Sequence, residues 1–505
     1  MSRINSNIQS LIAQRVLSTN NFSLGQSLER LSTGLRINRG KDDPAGLIAS
    51  ENLRSEKASL NAAIGNAERA DQVANIAEGG LQEISSLLID LQGLVTAAAN
   101  DGGLSVKEKE ANQVQIDSIL QTIDRISGAT SFQGKKLLNG NLDYTTTGVD
   151  AGVSDFRVNG AKLAFDSDLE VQAVITTSAQ QAGLFLSLGG PLNLNGGLNS
   201  AFTIEITGSL GSRELSFTSG TSIDTIVTAI NTFSDVTGVV ANAEGTTALK
   251  LASDQYGSNA FVSTSIVQSA DIQGTGIGIF QLEGDDFNTA DAATITAFNA
   301  PTALNGVRDD GQDVVATING IQATADGRTA RINTDFLDVE MTFDTATAQQ
   351  RGNVEAFTIT GGGADFQLAP NVDIAGKVAL GIADVSTRKL GNSTLGYLSE
   401  LGEGKGFNVV NGNLTDAQQI VSDAIDSISS IRGRLGAFQK NTVGATIRNL
   451  NVSLENTTAA ESVIRDTDFA AETAKLTRSQ ILVQASTNIL ALANSAPQSA
   501  LQLLG

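Results

Sequence analysis

The sequence predicts an α+β multidomain protein whose N- and C-terminal helices pair as an α-helical coiled-coil rod, with β-rich outer domains inserted in the middle. Two observations lead to this prediction. Apolar residues recur at spacings of three and four near both ends of the chain, which is typical of helices that pack as coiled coils. From about residue 139 to 414 the pattern changes to the alternation of half-buried strands, interrupted by turns rich in Gly and Asn.

Both chain ends carry a heptad-like apolar pattern. It comprises Ile4, Ile8, Leu11, Leu24, Leu28, Leu31 and Leu35 at the N terminus, and Leu482, Ala485, Ile489, Leu492, Ala496, Ser499 and Leu503 at the C terminus. Residues 476–505 contain no acidic residue and Arg478 as their single basic one, so a helix there needs a partner to bury its apolar surface. We therefore expect the termini to meet as paired helices and to pack against other subunits.

Helical periodicity continues inward from both ends. Helices are predicted over residues 1–38, 47–100, 105–127 and 415–454, and a final helix is predicted after a polar break at 462–472. Asp43 before Pro44 has the pattern of a helix N-cap followed by proline at the first helical position.

The middle region predicts strands with short helices. Residues 156–165 are expected to form a hairpin around Asn159-Gly160, and residues 202–217 a second hairpin. Ser222 is expected to cap a short amphipathic helix reaching residue 233, followed by strands at 236–243 and 248–253. The stretch 313–343 repeats this rhythm, so the middle predicts one or two β-rich domains.

Negative charge is concentrated in the middle region. The net charge of the chain is −21, and residues 141–400 hold 30 acidic and 11 basic residues, whereas the two end regions together are nearly neutral. Such an acidic surface argues against binding to nucleic acid. No run of about 18 apolar residues predicts a membrane-spanning helix, and residues 1–14 are too polar for the apolar core of a signal peptide.

The residue types needed for common enzyme chemistry are missing. The chain has no His and no Cys, which removes the commonest general base, the commonest metal ligand and the thiol nucleophile. The paired carboxylates Asp42-Asp43 and Asp466/Asp468 precede predicted helices, where capping of backbone N–H groups is favoured over a metal or acid/base site. We therefore expect no catalytic activity, no cofactor and no bound metal.

Several motifs resemble those of the bacterial flagellins. At the N-terminal end they are residues 31–38 (Leu-Ser-Thr-Gly-Leu-Arg-Ile-Asn), 41–46 (Lys-Asp-Asp-Pro-Ala-Gly) and 130–138 (Thr-Ser-Phe-Gln-Gly-Lys-Lys-Leu-Leu). At the C-terminal end they are residues 434–437 (Arg-Leu-Gly-Ala), Asn441, 449–450, 460–462, 464–468 (Ile-Arg-Asp-Thr-Asp) and 484–485. Residues 366–368 and 378–382 look like the family's strands that re-enter the rod, and residues 222–253 are similar to its inserted repeat.

The resemblance implies a structural subunit that polymerises with identical subunits into the flagellar filament for swimming. Residues 1–44 and 460–505 would form the coiled-coil filament core, 45–173 and 354–459 a helical rod with a β-hairpin, and 174–353 surface-exposed outer domains. The implied partners are the flagellar type III export apparatus, an export chaperone on the C-terminal helix, and the filament cap and hook-associated proteins. The implied location is the extracellular filament, reached without a cleaved signal peptide.

One segment departs from the family pattern. Some flagellins are recognised by an animal Toll-like flagellin receptor through the helix that corresponds to residues 90–97. This sequence has Asp90 where the family pattern has Arg and Gly93 where it has Glu, beside Leu91 and Leu94. We therefore predict weak activation of the receptor.

Three alternatives share some of these features. A hook–filament junction protein has similar terminal helices, and growth of long filaments from the purified chain separates the two. A flagellin with a zinc-protease insert needs a His-Glu-x-x-His site, which a chain without His cannot build. A coiled-coil surface adhesin would require that the middle region bind a ligand or a surface.

Overall fold

A computed structural model describes residues 6–100, 102–164, 167–192, 194, 201–269, 272, 274–283, 286–393 and 395–502 of the 505-residue chain. The chain divides into two compact units. The first contains residues 1–72, 366–377 and 437–505, and the second contains residues 73–365 and 378–436. The architecture confirms the predicted α+β class, with long helices toward both ends and β-sheets in the middle.

Long helices occupy both end regions of the chain. The α-helices are, in order, α1 Ile8–Thr33, α2 Pro44–Ala98, α3 Val106–Ala129, α4 Ile223–Asn231, α5 Ser234–Thr237, α6 Pro301–Asn305, α7 Thr345–Ala348, α8 Leu414–Ala437, α9 Gly444–Arg465 and α10 Phe469–Gln502. The predicted helix over 415–454 is confirmed, but a π-helical turn at Phe438–Val443 joins α8 to α9, which continues to Arg465. The capped helix predicted after Ser222 is α4, and the Ser222 hydroxyl accepts a hydrogen bond from Thr225 N.

The strands are numbered in chain order. Their bounds are β1 Ser131–Phe132, β2 Lys135–Lys136, β3 Tyr144–Thr147, β4 Val153–Ala161, β5 Leu169–Thr177, β6 Gln181–Ser187, β7 Ala201–Gly208, β8 Ser212–Thr218, β9 Val239–Glu244, β10 Ala248–Tyr256, β11 Phe261–Gln268, β12 Gly278–Glu283, β13 Asp286–Ala290, β14 Val307–Asp310, β15 Val315–Ile318, β16 Ile321–Gln322, β17 Thr324–Asp326, β18 Thr329–Asn333, β19 Leu337–Phe343, β20 Gly352–Gly362, β21 Ala364–Gln367, β22 Lys377–Leu380, β23 Gly391–Asn392 and β24 Gly396–Tyr397. All the pairings whose register is described are antiparallel.

In the first unit, α2 and α9 share a small apolar cluster. Leu60 and Ala63 of α2 pack with Leu450 of α9. Two ion pairs join the same helices, from Lys57 Nζ to Glu461 at 3.1 Å and from Arg465 to Glu51 at 3.0 Å. The polar break before α10 is confirmed, because Asp466 is extended at the end of α9.

In the second unit, two successive β bodies each build their own core. The inner β body contains the sheets β16-β15-β5-β20-β3 and β17-β18-β19-β4, and its core includes Val171, Ile318, Val339 and Phe357. The outer β body contains the sheets β13-β12-β6-β10-β9 and β14-β11-β7-β8. Its core is formed from residues between 182 and 303, so the outer β body is one continuous insertion into the inner one.

The hairpin predicted around Asn159-Gly160 is wrong, because both residues lie inside the continuous strand β4. Asn159 occupies a β-bulge, where the register against β19 shifts between Val158 and Gly160. Its side chain donates to Asp338 Oδ1 at 3.2 Å and accepts a hydrogen bond from Arg434. Tertiary contacts therefore replace the turn that the dipeptide alone favours. Asn319-Gly320 does form a turn, with φ of 49° and 78°, and connects β15 to β16 as a two-residue loop.

Three further predictions need correction in detail. The predicted strand 236–243 begins at Val239, because residues 234–237 form the helical turn α5. The predicted outer-domain limits, 173/174 and 353/354, fall inside β5 and β20, which pair with each other. The N-terminal helix ends at Thr33 and not at residue 38, because Gly34 adopts the left-handed conformation with φ of 74°.

Candidate subunit-packing surface

Local sequence signals bring α1 and α10 side by side. Gly34 ends α1, and a short backbone bridge follows, in which Thr467 N donates to Gly34 O at 2.9 Å and Arg36 N donates to Arg465 O at 2.6 Å. Asp468 then caps α10, since its Oδ1 accepts from Ala470 N and Ala471 N. This bridge holds the end of α1 against the start of α10, so the two helices run antiparallel.

The seam between α1 and α10 is regular and combines aliphatic residues with small and polar ones. Its positions, all buried or half-buried, are Ser10, Ala13, Leu17, Asn20, Leu24, Ser27 and Leu31 on α1 and Glu472, Leu476, Ser479, Val483, Ser486, Leu490 and Ala493 on α10. These positions alternate spacings of three and four, as in a coiled coil. Hydrogen bonds cross the seam from Asn20 Nδ2 to Ser486 Oγ at 2.7 Å and from Ser10 Oγ to Asn494 Oδ1 at 2.7 Å.

A buried carboxylate fixes one end of the seam. Glu472 is 4 % exposed, and its Oε1 accepts from Ser27 Oγ at 2.7 Å. Its Oε2 lies 3.2 Å from Lys475 Nζ and 3.8 Å from Arg30 Nη1. Burial opposes the charged form, but the hydrogen bond from Ser27 and the two cations outweigh it, so the pKa of Glu472 lies below its usual value. The charged pairing therefore sets the register of α1 against α10.

The opposite faces of both helices are apolar and exposed. Within the described residues these side chains are 42 to 71 % exposed; they are Ile8, Leu11, Ile12, Val16, Phe22 and Leu28 on α1 and Ile481, Leu482, Ile489 and Leu492 on α10. The pair therefore leaves several large aliphatic side chains exposed while Leu, Val, small and polar residues share the seam. Such an outer face is typical of a surface that another protein covers.

The expectation that the C-terminal apolar stripe faces the N-terminal helix is wrong in register. Leu482, Ala485, Ile489 and Leu492 are exposed, and Ser479, Val483, Ser486 and Leu490 take the inner positions. On α1, Leu24 and Leu31 lie half-buried in the seam, whereas Ile8, Leu11 and Leu28 are exposed. The seam therefore takes a different set of residues on α10, in which Val483 and Leu490 alternate with Ser479 and Ser486.

The remaining predicted packing residues are placed as follows. Leu35 is half-buried and forms the backbone bridge with Asp466. Ile4, Leu503 and the side chain of Ala496 lie outside the described residues. Sequence analysis missed Asn20, Ser27, Glu472 and Ser486; the signal that could have identified them is the heptad spacing of small and polar residues on α10.

The receptor segment lies on α2 in the second unit. Asp90 and Gly93 are exposed, Leu94 is half-buried and Leu91 is fully buried. A Cβ added at Gly93 would meet no atom within 4 Å. The two positions that depart from the family pattern are therefore both on the surface.

Asp42, Asp43 and Asp468 accept hydrogen bonds from backbone N–H groups, whereas Asp466 Oδ2 accepts from the Ser462 hydroxyl at 2.7 Å. Asp43 Oδ1 accepts from Gly46 N at 2.9 Å at the start of α2, and Asp42 Oδ2 accepts from Asn38 N and Arg39 N in the preceding loop. The backbone hydrogen bond from Arg39 lowers the pKa of Asp42. Among the described residues, no group of three or more acidic side chains is arranged to hold a metal ion. The described helices include none whose length and hydrophobicity would suit a membrane span.

Comparison with protein families matches both end regions and part of the outer β body. Residues 4–143 match the bacterial flagellin N-terminal helical region, and residues 418–504 match the C-terminal helical region. Residues 201–255 match the flagellin hook IN motif. The matched segments include every described residue of the α1–α10 seam.

Full-length relatives and solved structures extend this comparison. The B-type flagellin of Pseudomonas aeruginosa is 30 % identical, over 99 % of this chain and 99 % of its own length. Flagellin A of Helicobacter pylori is 26 % identical, over 100 % of this chain and 98 % of its own length. The structure of FliC from Burkholderia pseudomallei is 13 % identical, covers 74 % of this chain and 99 % of its own, and gives a TM-score of 0.23. The structure of flagellar hook associated protein-3 from Legionella pneumophila is 11 % identical, covers 81 % of this chain and 97 % of its own, and gives a TM-score of 0.29.

Proposed function

The chain belongs to the bacterial flagellins, and from this premise we propose that it polymerises into the filament that drives swimming, after unfolded export through the flagellar type III channel. Flagellins are structural proteins of the flagellar filament, so the proposed role is mechanical and not catalytic. The observation that carries the proposal is the row of exposed aliphatic side chains on the α1–α10 pair. These side chains are 42 to 71 % exposed in the monomer, and identical subunits would cover them.

We propose the following arrangement of the chain in the filament. Residues 1–44 and 460–505 form the core, the helices of residues 45–129 and 414–459 form the surrounding rod, and the two β bodies, whose limits replace 174–353, project outward. The low charge of residues 476–505 supports a place in the core, and the net negative charge of residues 141–400 supports an outer, solvated surface.

The proposed partners besides identical subunits follow from the same premise. An export chaperone would cover the apolar face of α10 until the subunit is in place, because that face favours aggregation when exposed. The filament cap and the hook-associated proteins would contact the subunit at the two ends of the filament. We propose an extracellular location, reached without a cleaved signal peptide.

Polymerisation of paired variants tests the proposed role of the outer face. The variant Ile489→Gln with Leu492→Gln keeps good helix formers but removes two aliphatic side chains from the surface that neighbours would bury. Burial of two such side chains is worth about 3–6 kcal/mol. We therefore expect the critical concentration for filament growth, measured by sedimentation from seeds, to rise at least roughly a hundredfold.

A conservative variant serves as the control for this experiment. Ile489→Leu with Leu492→Ile preserves the apolar area and should polymerise within a few-fold of the parent. Normal filament growth by the glutamine variant would refute the packing role of this face. Failure of the parent chain to grow long filaments would instead favour the hook–filament junction protein.

The receptor segment gives a second prediction. We expect purified monomer to activate the Toll-like flagellin receptor weakly in reporter cells, and Asp90→Arg with Gly93→Glu to increase the response at least about tenfold, equivalent to one restored charged contact. The added side chains fit because both positions are exposed and Gly93 faces open space.

The matched control places a new arginine and a new glutamate elsewhere on α2. Glu83 is exposed and Gly79 also faces open space, so Glu83→Arg with Gly79→Glu should leave the response at the parent's level. Potent signalling by the parent monomer would contradict the prediction.

A further inference from the structure

Two short segments of the chain connect the inner and outer β bodies. Residues 178–180 join β5 to β6, and residues 311–314 join β14 to β15. The two crossings pair with each other, since Gln180 N donates to Gln312 O at 2.8 Å and Gln312 N donates to Gln180 O at 2.9 Å. Two adjacent strands of this kind would still allow the outer β body to bend about them.

A third contact restrains that bending. The turn after β10 reaches back from the outer β body to the crossings, where Gly257 N donates to Gln180 O at 3.2 Å and Gly311 N donates to Ala260 O at 2.9 Å. Tyr256, the last residue of β10, packs against the core of the inner β body. One strand therefore belongs to the outer sheet along most of its length and ends in the inner core.

Asp313 connects this turn to the inner β body. Its Oδ1 accepts from Ser258 N at 3.0 Å, on the outer side, and from Gly327 N at 2.7 Å, on the inner side. Its Oδ2 accepts from the Ser258 hydroxyl at 2.6 Å. These hydrogen bonds hold the carboxylate in its charged form and lower the pKa of Asp313 despite its partial burial.

Glycines permit the backbones to meet at this point. A Cβ on Gly257 would lie 2.4 Å from Asp313 Oδ1 and 2.6 Å from Gly327 Cα, and a Cβ on Gly311 would lie 2.4 Å from Gly257 O. Any side chain at these positions would force the strands apart. Asn259 adds an outer-to-inner hydrogen bond to Asp326 at 3.1 Å, and the Arg328 guanidinium lies 5.2 Å from the centre of the Tyr256 ring.

We propose that Asp313 and the glycines 257, 311 and 327 form a clamp that makes the two β bodies one stiff arm. The clamp has two chain crossings and a third contact made by the turn after β10, which belongs to neither crossing, so bending about the crossings breaks hydrogen bonds or closes a backbone contact. In a filament, where the consequence rests on the proposed function, the outer β body would move with the inner β body and not independently of it.

Distance measurements on the monomer test the clamp without requiring polymerisation. The chain has no cysteine, so Ser212→Cys on the outer β body and Gln350→Cys on the inner one, both exposed, can carry a pair of spin labels without background labelling. We expect one narrow distance distribution for the parent. In the labelled Asp313→Ala variant the width of this distance distribution should increase about twofold. The reason is that the turn after β10 is no longer held by the Asp313 carboxylate.

Two more variants separate the clamp from general destabilisation. Ser258→Ala removes one hydrogen bond and should broaden the distribution less, while Gly257→Ala should broaden it by steric separation. The matched controls are Asp150→Ala, whose carboxylate accepts from Gly152 N within the inner β body, and Gly220→Ala, which has positive φ but open space around it. Both controls should keep the parent's width.

Two results would overturn the proposal. A broad or multiple-peaked distribution for the parent would mean that the bodies bend freely. An unchanged narrow distribution in all three clamp variants would mean that other contacts hold them. Because filaments are absent from this experiment, failure of the clamp and failure of the filament role are distinguishable.

Discussion

Removal of residues 476–505 is expected to give a soluble monomer that forms no filaments. The truncation deletes Leu482, Ile489 and Leu492, and with them most of the exposed apolar face of α10. It also removes the seam partners of α1 beyond Glu472, including Ser486, which bonds to Asn20. A 26-residue helix without tertiary partners is marginal in water, so α1 should lose its order as well.

Hydrogen exchange and electron microscopy together check this prediction. Amides of α1 should exchange at least about a hundredfold faster in the truncated chain, whereas those of α2 and α8 should keep their protection, because their buried contacts do not involve the deleted residues. The control is the variant Ile489→Leu with Leu492→Ile, which keeps α10 and its apolar area. Filaments grown by the truncated protein, or full protection of α1, would contradict the proposed arrangement.

Much of the fold could be predicted from local sequence, because many of its elements are specified locally. Ser222 caps α4, Asp43 precedes the helix that begins at Pro44, and Asn319-Gly320 makes a two-residue turn. In each case the residue's own conformational preference agrees with the tertiary structure. The two helical ends and the β-rich middle follow from periodicity for the same reason.

The predictions from sequence are wrong where a contact with a distant part of the chain outweighs the local conformational preference of a residue. Asn159-Gly160 has the composition of a turn, but Asp338 and Arg434 hold Asn159 in a bulge within β4. Similarly, Ser258 and Asp313 are 55 positions apart, so no local pattern could reveal the clamp between the β bodies. Such contacts depend on the folded arrangement and cannot be read from spacing alone.

Sequence reasoning assigned the wrong inner face to α10, and the assignment of its apolar residues to packing between subunits stays a prediction. Sequence reasoning placed the apolar stripe of α10 toward α1, because burial of apolar residues normally decides which face of a helix is inside. Here Ser479 and Ser486 face α1 while Ile489 and Leu492 remain exposed. The exposed Ile489 and Leu492 therefore support the proposed assembly with other subunits.

The second change removes the whole outer β body, and we expect it to have little effect on assembly. Replacing residues 181–311 by two glycines should leave a soluble protein that still grows filaments. Gln180 and Gln312 are paired across an antiparallel bridge, where Cα atoms lie about 4.5–5.5 Å apart, and two residues span that gap. Every buried residue of the inner core lies outside the excised segment, and only the half-buried Tyr256 is lost from its edge.

Excision at the limits first predicted from the sequence provides the contrast. Deleting residues 174–353 cuts β5 and β20 and removes β15 to β19, which contribute Val339, Met341 and Phe343 to the inner core. The residual strands would expose their apolar faces, so this chain should aggregate or be degraded, which solubility and thermal unfolding would show. A soluble 181–311 excision that polymerises like the parent, beside an insoluble 174–353 excision, is the expected pair of results. Loss of filaments from the folded 181–311 excision would mean that the outer β body itself contributes contacts between subunits.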